Sequence, residues 1–220
     1  MTNNHALKSS KNASSPSEVE LDPSSPKPSK RRLESRRRLL AAARQLFVER
    51  GYHATRPQDI SKAAGVGHGT FYLHFSDKLE CFLAFAAEAS GELDVLMQQH
   101  AENATGLESG IREVLHAIFE YSEDNPGVLA AVLTDLNVIS TDGEPGQMPA
   151  DQWAELWSDN IREWAAVGEV PADLDTILAG HVILGILRQG GAYAGRSEMP
   201  REEATDKLTH AIMGMLTYRK

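Results

Sequence analysis

The chain has 220 residues, of which 41% are hydrophobic, one cysteine (Cys81) and a net charge of −9. That length can bury a substantial core, and a lone cysteine excludes a secreted scaffold built on internal disulfides. The longest run of small and apolar residues, Ile177–Leu187, is interrupted by His181 and falls far short of the roughly 20 residues that span a bilayer. With a polar start that lacks a signal-peptide core, the expectation is a cytoplasmic protein with no membrane partner.

The net acidity hides an uneven distribution. Residues 1–78 hold 14 Lys/Arg against 7 Asp/Glu, whereas residues 79–220 hold 8 against 24. A basic first third joined to an acidic remainder is the asymmetry expected when one end meets nucleic acid and the other stays off it.

Residues 1–30 contain eight Ser, four Pro and three Asn, too little apolar surface to offset the entropy of ordering, and are expected to be a disordered tail. The tail ends in Lys30, Arg31 and Arg32, followed by Arg36, Arg37 and Arg38, expected to lie on a flexible arm. From about Ser35 the pattern turns helical: Leu39, Ala43, Leu46 and Phe47 share a face, and Gly51 supplies a stop. Two short helices follow, Pro57–Ala64 and His68–Phe75, the first packing Ile60, Ala63 and Ala64 on helix one. A longer helix starts near Asp77, with Glu80 completing a capping box. Further helices are expected at about 108–123, 126–139, 150–167, 172–193 and 201–217, bounded by Pro126, Gly143–Gly146, Pro171 and Pro200. No strand-like alternation of any length appears, so the class is all-α.

Gly65-Val66-Gly67 between two short helices is the arrangement of a helix-turn-helix, with Val66 filling the core beneath the turn. On the second helix Phe71 and Phe75, four apart, face inward, leaving His68, Thr70, Tyr72 and His74 outward. Gly69 is a poor helix former, and close approach of backbone to DNA accounts for it. The linked stretches LLAAARQLFVERGYHAT, DISKAAGVGHGTFYLHF and SDKLECFLA resemble, in order, the DNA-binding domain of the TetR family of transcriptional repressors. The resemblance covers about 45 residues from Leu40 and implies three N-terminal helices for DNA (residues 31–78) and six more forming an effector-binding and dimerising domain (residues 79–220).

Position by position, the resemblance assigns DNA contacts to Thr70, Tyr72 and His74, to His68 and Gly69 at the start of the recognition helix, and to Lys78 at the start of helix four. Arg36 and Arg37 join them from the basic arm. Arg56 stands where the family often has Thr, a poor cap that could hold phosphate, so Thr55 is the expected cap and phosphate neighbour. Gly67 stands where the family often has Ser, which weakens the cap of the recognition helix.

In the acidic part, the helices around 172–194 and 201–218 carry small and apolar residues, and the resemblance implies a homodimer there, through Leu184, Leu208, Ile212 and Met215. A two-fold dimer implies a palindromic site with half-sites roughly 34–36 Å apart, or a multiple of that. Trp153, Trp157, Ile161 and Trp164 form one helical stripe, readable as core or as the wall of an effector pocket shared with His116, Phe119, Tyr121, Leu133 and His181. Glu120, Asp135, Glu155 and Asp159 leave room for a cationic aromatic effector; a lipophilic or aromatic small molecule is expected. No HxxxH, CxxC, GxSxG or phosphate-loop motif occurs, so no metal, cofactor or catalytic site is expected. The expected function is a ligand-released DNA-binding repressor. A constitutive DNA-binding regulator without effector and an all-α enzyme are the alternatives.

Overall fold

The computed structural model describes residues 29–133 and 148–218, and every regular element among them is a helix. In chain order these are α1 (Lys30–Ala54), α2 (Pro57–Ala63), α3 (His68–Tyr72), α4 (Lys78–Ala101), α5 (Leu107–Asp124), α6 (Val128–Val132), α7 (Pro149–Ala166), α8 (Thr176–Arg196) and α9 (Arg201–Leu216). The Ser/Pro-rich tail up to residue 28, the continuation of α6 towards 139, the Gly143–Gly146 stretch and Asp135 lie outside the described residues. No helix among the described residues is long and apolar enough to cross a membrane.

Two compact units emerge, one of residues 29–89 with 127–133 and one of 90–126 with 148–218. In the first, α1 presents Leu39, Leu40, Ala43, Leu46 and Phe47 at helical spacing to the interior. Gly51 leaves the helical path at φ 77°, a left-handed value that glycine adopts without strain, and the break turns Tyr52 into the core. Phe47, Tyr52, Phe82 and Phe85 then form an aromatic cluster, with Phe47 edge-on to Phe82 at 5.3 Å and Tyr52 edge-on to Phe82 at 5.2 Å. α6 closes this unit: a Cβ at Gly127 would stand 2.8 Å from Val48 Cγ1 on α1.

α1 begins earlier than its apolar periodicity indicates. Ser29 Oγ accepts from Arg32 N–H at 3.3 Å and caps a helix that takes in Lys30 to Arg38. The basic cluster is therefore the first two turns of α1 rather than a flexible arm. A Ser cap ahead of straight-chain Arg residues, which are good helix formers, is the local reason.

In the second unit α5, α7, α8 and α9 enclose a core that includes Ile111, Leu115, Trp157, Ile161, Trp164, Ile183, Ile212 and Leu216. Glycine sets its tightest crossings. A Cβ at Gly180 on α8 would collide with the Ala154 carbonyl oxygen of α7, and one at Gly190 with Leu208 of α9. These small residues bring helices together within one protomer.

Leu184, Leu208, Ile212 and Met215, expected at a dimer interface, contribute to this core within one protomer: Leu184 and Ile212 are buried in it, and Leu208 and Met215 pack against it half-buried. The large apolar residues that α8 exposes are Ile177, Leu178, Val182 and Tyr193. An all-round apolar helix has two faces to offer, and core packing takes the one that meets its neighbours.

Candidate nucleic-acid interface

α2 and α3 are joined through Gly65 (φ 63°), Val66 and Gly67. Val66 N–H donates to Ser61 O at 3.0 Å and Gly65 N–H to Lys62 O at 3.1 Å, closing the end of α2 in the Schellman manner. Val66 is only half-buried, and Ala63 is exposed; Ile60 and Ser61 are the α2 residues that face the core. Arg38 of α1 reaches over the turn, its Nη2 donating to Gly65 O at 3.3 Å. A Cβ at Gly65 would stand 2.7 Å from that same nitrogen.

α3 is seated by Phe71 and Phe75, both buried and 5.5 Å apart. A helix anchored at 71 and 75 turns 69 and 73 to the opposite side and leaves 68 and 72 towards its margin. His68, Gly69, Tyr72 and Leu73 are indeed all exposed, Tyr72 at 52% and Leu73 at 70%. His68 braces Tyr72 edge-on at 5.2 Å. Gly67 starts α3 without a side-chain cap, as its lack of a hydroxyl dictates.

Of the four residues expected to face outward, His68 and Tyr72 do so and two do not. Thr70 is half-buried over Gly67. His74 is half-buried against α1, its Nε2 2.7 Å from Ser35 Oγ. Taking 68, 70, 72 and 74 as one face applies the period of a strand; the helical strip is 68, 69, 72 and 73. Leu73 escapes sequence reasoning because an apolar residue in a short amphipathic helix reads as core.

The first turns of α1 grip the end of α3. Besides Ser35, the Arg36 guanidinium lies over the Phe75 ring, 5.2 Å from its centroid. Burial, then the charges of Arg32 and Arg36, holds the His74 imidazole below the usual histidine range. The fold thus favours neutral His74, and below about pH 6.5 the unfolded chain takes up the proton more readily. Stability is therefore expected to fall as pH drops from about 7.5 to about 5.5, and His74→Gln to flatten that part of the profile. Urea midpoints for both proteins over this range are the check; parallel profiles would refute it.

The remaining candidates divide. Arg37 is exposed and bidentate to Glu34, Nε to Oε2 at 3.0 Å and Nη2 to Oε1 at 2.8 Å, which holds the Glu34 carboxyl below its ordinary range. Arg56 is exposed, and its N–H is capped by Asp59 Oδ2 at 3.2 Å. Thr55 is wholly buried: its hydroxyl hydrogen-bonds the Gly51 carbonyl at 2.8 Å and lies 3.2 Å from that of Leu46. It secures the end of α1, so it neither caps α2 nor reaches a phosphate.

Lys78 turns inward as well. Its Nζ donates to Tyr52 O at 2.8 Å and lies 4.1 Å from the centre of the Tyr52 ring, and burial lowers its pKa. Asp77 Oδ1 accepts from Glu80 N–H at 2.8 Å and Glu80 reaches back to Ser76 N–H, so α4 starts with the expected pair displaced by one residue at its return contact.

Residues 39–85 match the family model of bacterial regulatory proteins of the TetR family. The similarity to that family is carried by this segment of the chain. It is 35% identical over 111 residues to the HTH-type transcriptional activator FasR of Mycolicibacterium smegmatis, a match covering 50% of this chain and 43% of that protein. The chain thus spans less than half the length of that curated relative. Two solved structures superpose on most of it. The fatty acid degradation regulator FadR of Bacillus halodurans gives a TM-score of 0.66 at 21% identity, over 84% of this chain and 97% of that one. FadR of Bacillus subtilis, solved in complex with stearoyl-CoA, gives 0.61 at 18%, over 82% and 97%. At such identities the likeness carries the fold alone, and it extends the shared helical fold well beyond residues 39–85.

Of the expected pocket residues, Trp157, Trp153 and Phe119 meet in one core cluster. Trp157, Ile161 and Trp164 are core, with the Trp157 and Trp164 rings 6.5 Å apart. Trp153 and Phe119 pack half-buried at its edge, Trp153 donating its indole N–H to Ser90 Oγ at 3.2 Å. His181 is exposed on α8, and Leu133 follows α6 in the other unit. Tyr121 is buried with its hydroxyl on Glu92 Oε2 at 2.6 Å.

His116 stacks on His100 at 6.3 Å, and His100 lies between Glu113 Oε2 (3.0 Å) and Glu120 Oε2 (3.1 Å). Glu120 Oε2 also faces the Arg201 guanidinium at 3.8 Å, while Glu155 and Asp159 are exposed. Glu155 and Asp159 therefore stand on the exposed side of α7, apart from the buried Trp157 and Trp164.

Proposed function

We propose that this protein is a DNA-binding transcriptional repressor, active as a homodimer on a two-fold symmetric site and released by a lipophilic small molecule. The observation that carries the reading is the exposed strip His68-Gly69-Tyr72-Leu73 on a firmly anchored recognition helix, flanked by the cationic first turns of α1. The strip is nearly uncharged and suits base edges in the major groove. Arg31, Arg32, Arg36 and Arg37 suit the phosphates beside it. The relatives named above carry the names of regulators, FasR that of a transcriptional activator.

Two further points support the assembly and the ligand. The exposed Ile177, Leu178, Val182 and Tyr193 of α8 are an apolar face that a second copy of the chain would cover. The solved FadR neighbour holds stearoyl-CoA, and the apolar character of the α5/α7/α8/α9 core suits an acyl chain better than a polar effector. The mechanism is population shift: the ligand binds better to a conformation whose two recognition helices are wrongly spaced for DNA. Ligand and operator must then weaken each other's binding by the same factor.

The test is footprinting on the DNA flanking the protein's own coding region, followed by a salt series and titration with stearoyl-CoA. A protected palindrome is expected. Arg36→Gln with Arg37→Gln should reduce the slope of log affinity against log salt by about 0.9 for each phosphate left without its arginine. An unchanged slope would take these arginines out of the interface, and absence of any protected site would overturn the DNA-binding reading.

A further inference from the structure

Leu73 is a large aliphatic side chain, 70% exposed, at the C-terminal end of the strip that the proposed function turns towards DNA. It follows the last residue of α3 with helical geometry (φ −78°, ψ −13°), and its N–H donates to Thr70 O at 3.3 Å, so its direction is set by the helix. Its neighbours on the strip are Tyr72, braced by His68 at 5.2 Å and Phe71 at 5.3 Å, and Gly69 one turn back, where a Cβ would meet nothing within 4 Å. The missing side chain at 69 lets this side of α3 approach a groove floor closely. A short reach such as that of Leu73 then suffices to touch it.

Chemistry narrows what Leu73 can read. It has no hydrogen-bonding group beyond the backbone, so it cannot engage the donors and acceptors on the major-groove edges of guanine, adenine or cytosine. The thymine 5-methyl is the apolar group on those edges. We infer that Leu73 is a specificity-determining residue that packs on a thymine 5-methyl group in each half-site. The inference rests on the DNA-binding reading and deepens it: one position per half-site is selected as T by apolar contact, not by a hydrogen bond.

The experiment separates the two. The full chain selects binding sites from a random duplex pool, and each thymine of the enriched site is replaced in turn by deoxyuridine, which keeps every hydrogen-bonding group and removes the methyl. One symmetry-related thymine should weaken binding about fourfold per half-site when so replaced, the effect of one buried methyl. Leu73→Ala should bind the thymine and deoxyuridine duplexes equally, whereas Leu73→Met should retain the preference. Because the position is exposed, both variants should melt with the wild type.

If a site is enriched but no single replacement matters, or if Leu73→Ala keeps the same methyl preference, the assignment of Leu73 is overturned and the DNA-binding reading stands. If no site is enriched at all, both fall.

Discussion

Trp164→Ala is expected to cost about 3–5 kcal/mol of folding stability, the largest loss predicted for a single side chain in this protein. The indole is 3% exposed and lies among Trp157, Ile161, Ile183 and their neighbours. Removing it deletes a large apolar surface, and helices held apart by other side chains cannot close fully over the gap. Globular proteins have only about 5–15 kcal/mol in hand, so the variant should unfold at a distinctly lower denaturant concentration. The prediction also decides what the tryptophan stripe is for. A wall of an open effector pocket would already be hydrated in the free protein, and truncation there would cost little stability and much ligand affinity. Chemical unfolding of Trp164→Ala beside Trp153→Ala makes the comparison, because Trp153 lies on the same stripe but only half-buried. Equal, small losses at the two positions would return Trp164 to a pocket wall.

The contrast shows which features are legible in sequence. Helix positions follow from periodicity and punctuation, and α5, α7 and α9 come within one residue of expectation because Pro149, the break before Arg201 and the run from Leu107 are local signals. Faces are harder. On α8 and α9 apolar residues occur on more than one side, and which side is buried depends on where Gly180 and Gly190 let neighbours approach. That is a fact about partners, absent from the helix's own sequence. Hence Ile212, expected at an interface, is core, while Ile177 and Tyr193 are the exposed ones.

Side-chain roles at the interface depart from expectation for a related reason. Thr55, Lys78 and His74 each carry a group suited to DNA, yet each finds a closer partner within the chain: the carbonyls of Leu46 and Gly51, the Tyr52 carbonyl and ring, and Ser35. Intramolecular satisfaction of half-buried polar groups is the default, and only tertiary contacts reveal it. Ser35 is invisible as a functional residue for the same reason. The hint in the sequence is its place four residues before Leu39, on the turn that continues the buried face of α1 towards its start.

Gly69→Ala should move stability and DNA affinity in opposite directions. In the folded protein alone the glycine has no structural reason to be there: it is helical, exposed, and a Cβ would meet nothing within 4 Å. Alanine at such a position removes backbone entropy from the unfolded chain and raises stability by roughly 0.5–1 kcal/mol. On DNA the same methyl would stand between α3 and the groove. Forcing a methyl into a packed contact costs about 1–3 kcal/mol, so affinity for the selected site should drop roughly five- to hundredfold. Gly69→Leu should abolish specific binding while the protein stays folded. Thermal melting and titration of the selected duplex read the two effects separately. Both moving the same way would mean that α3 is disturbed, and unchanged affinity would mean that backbone and base edges never come close. A glycine that weakens its own helix finds no reason in that helix's packing, and the strip it opens is the surface on which the DNA-binding reading turns.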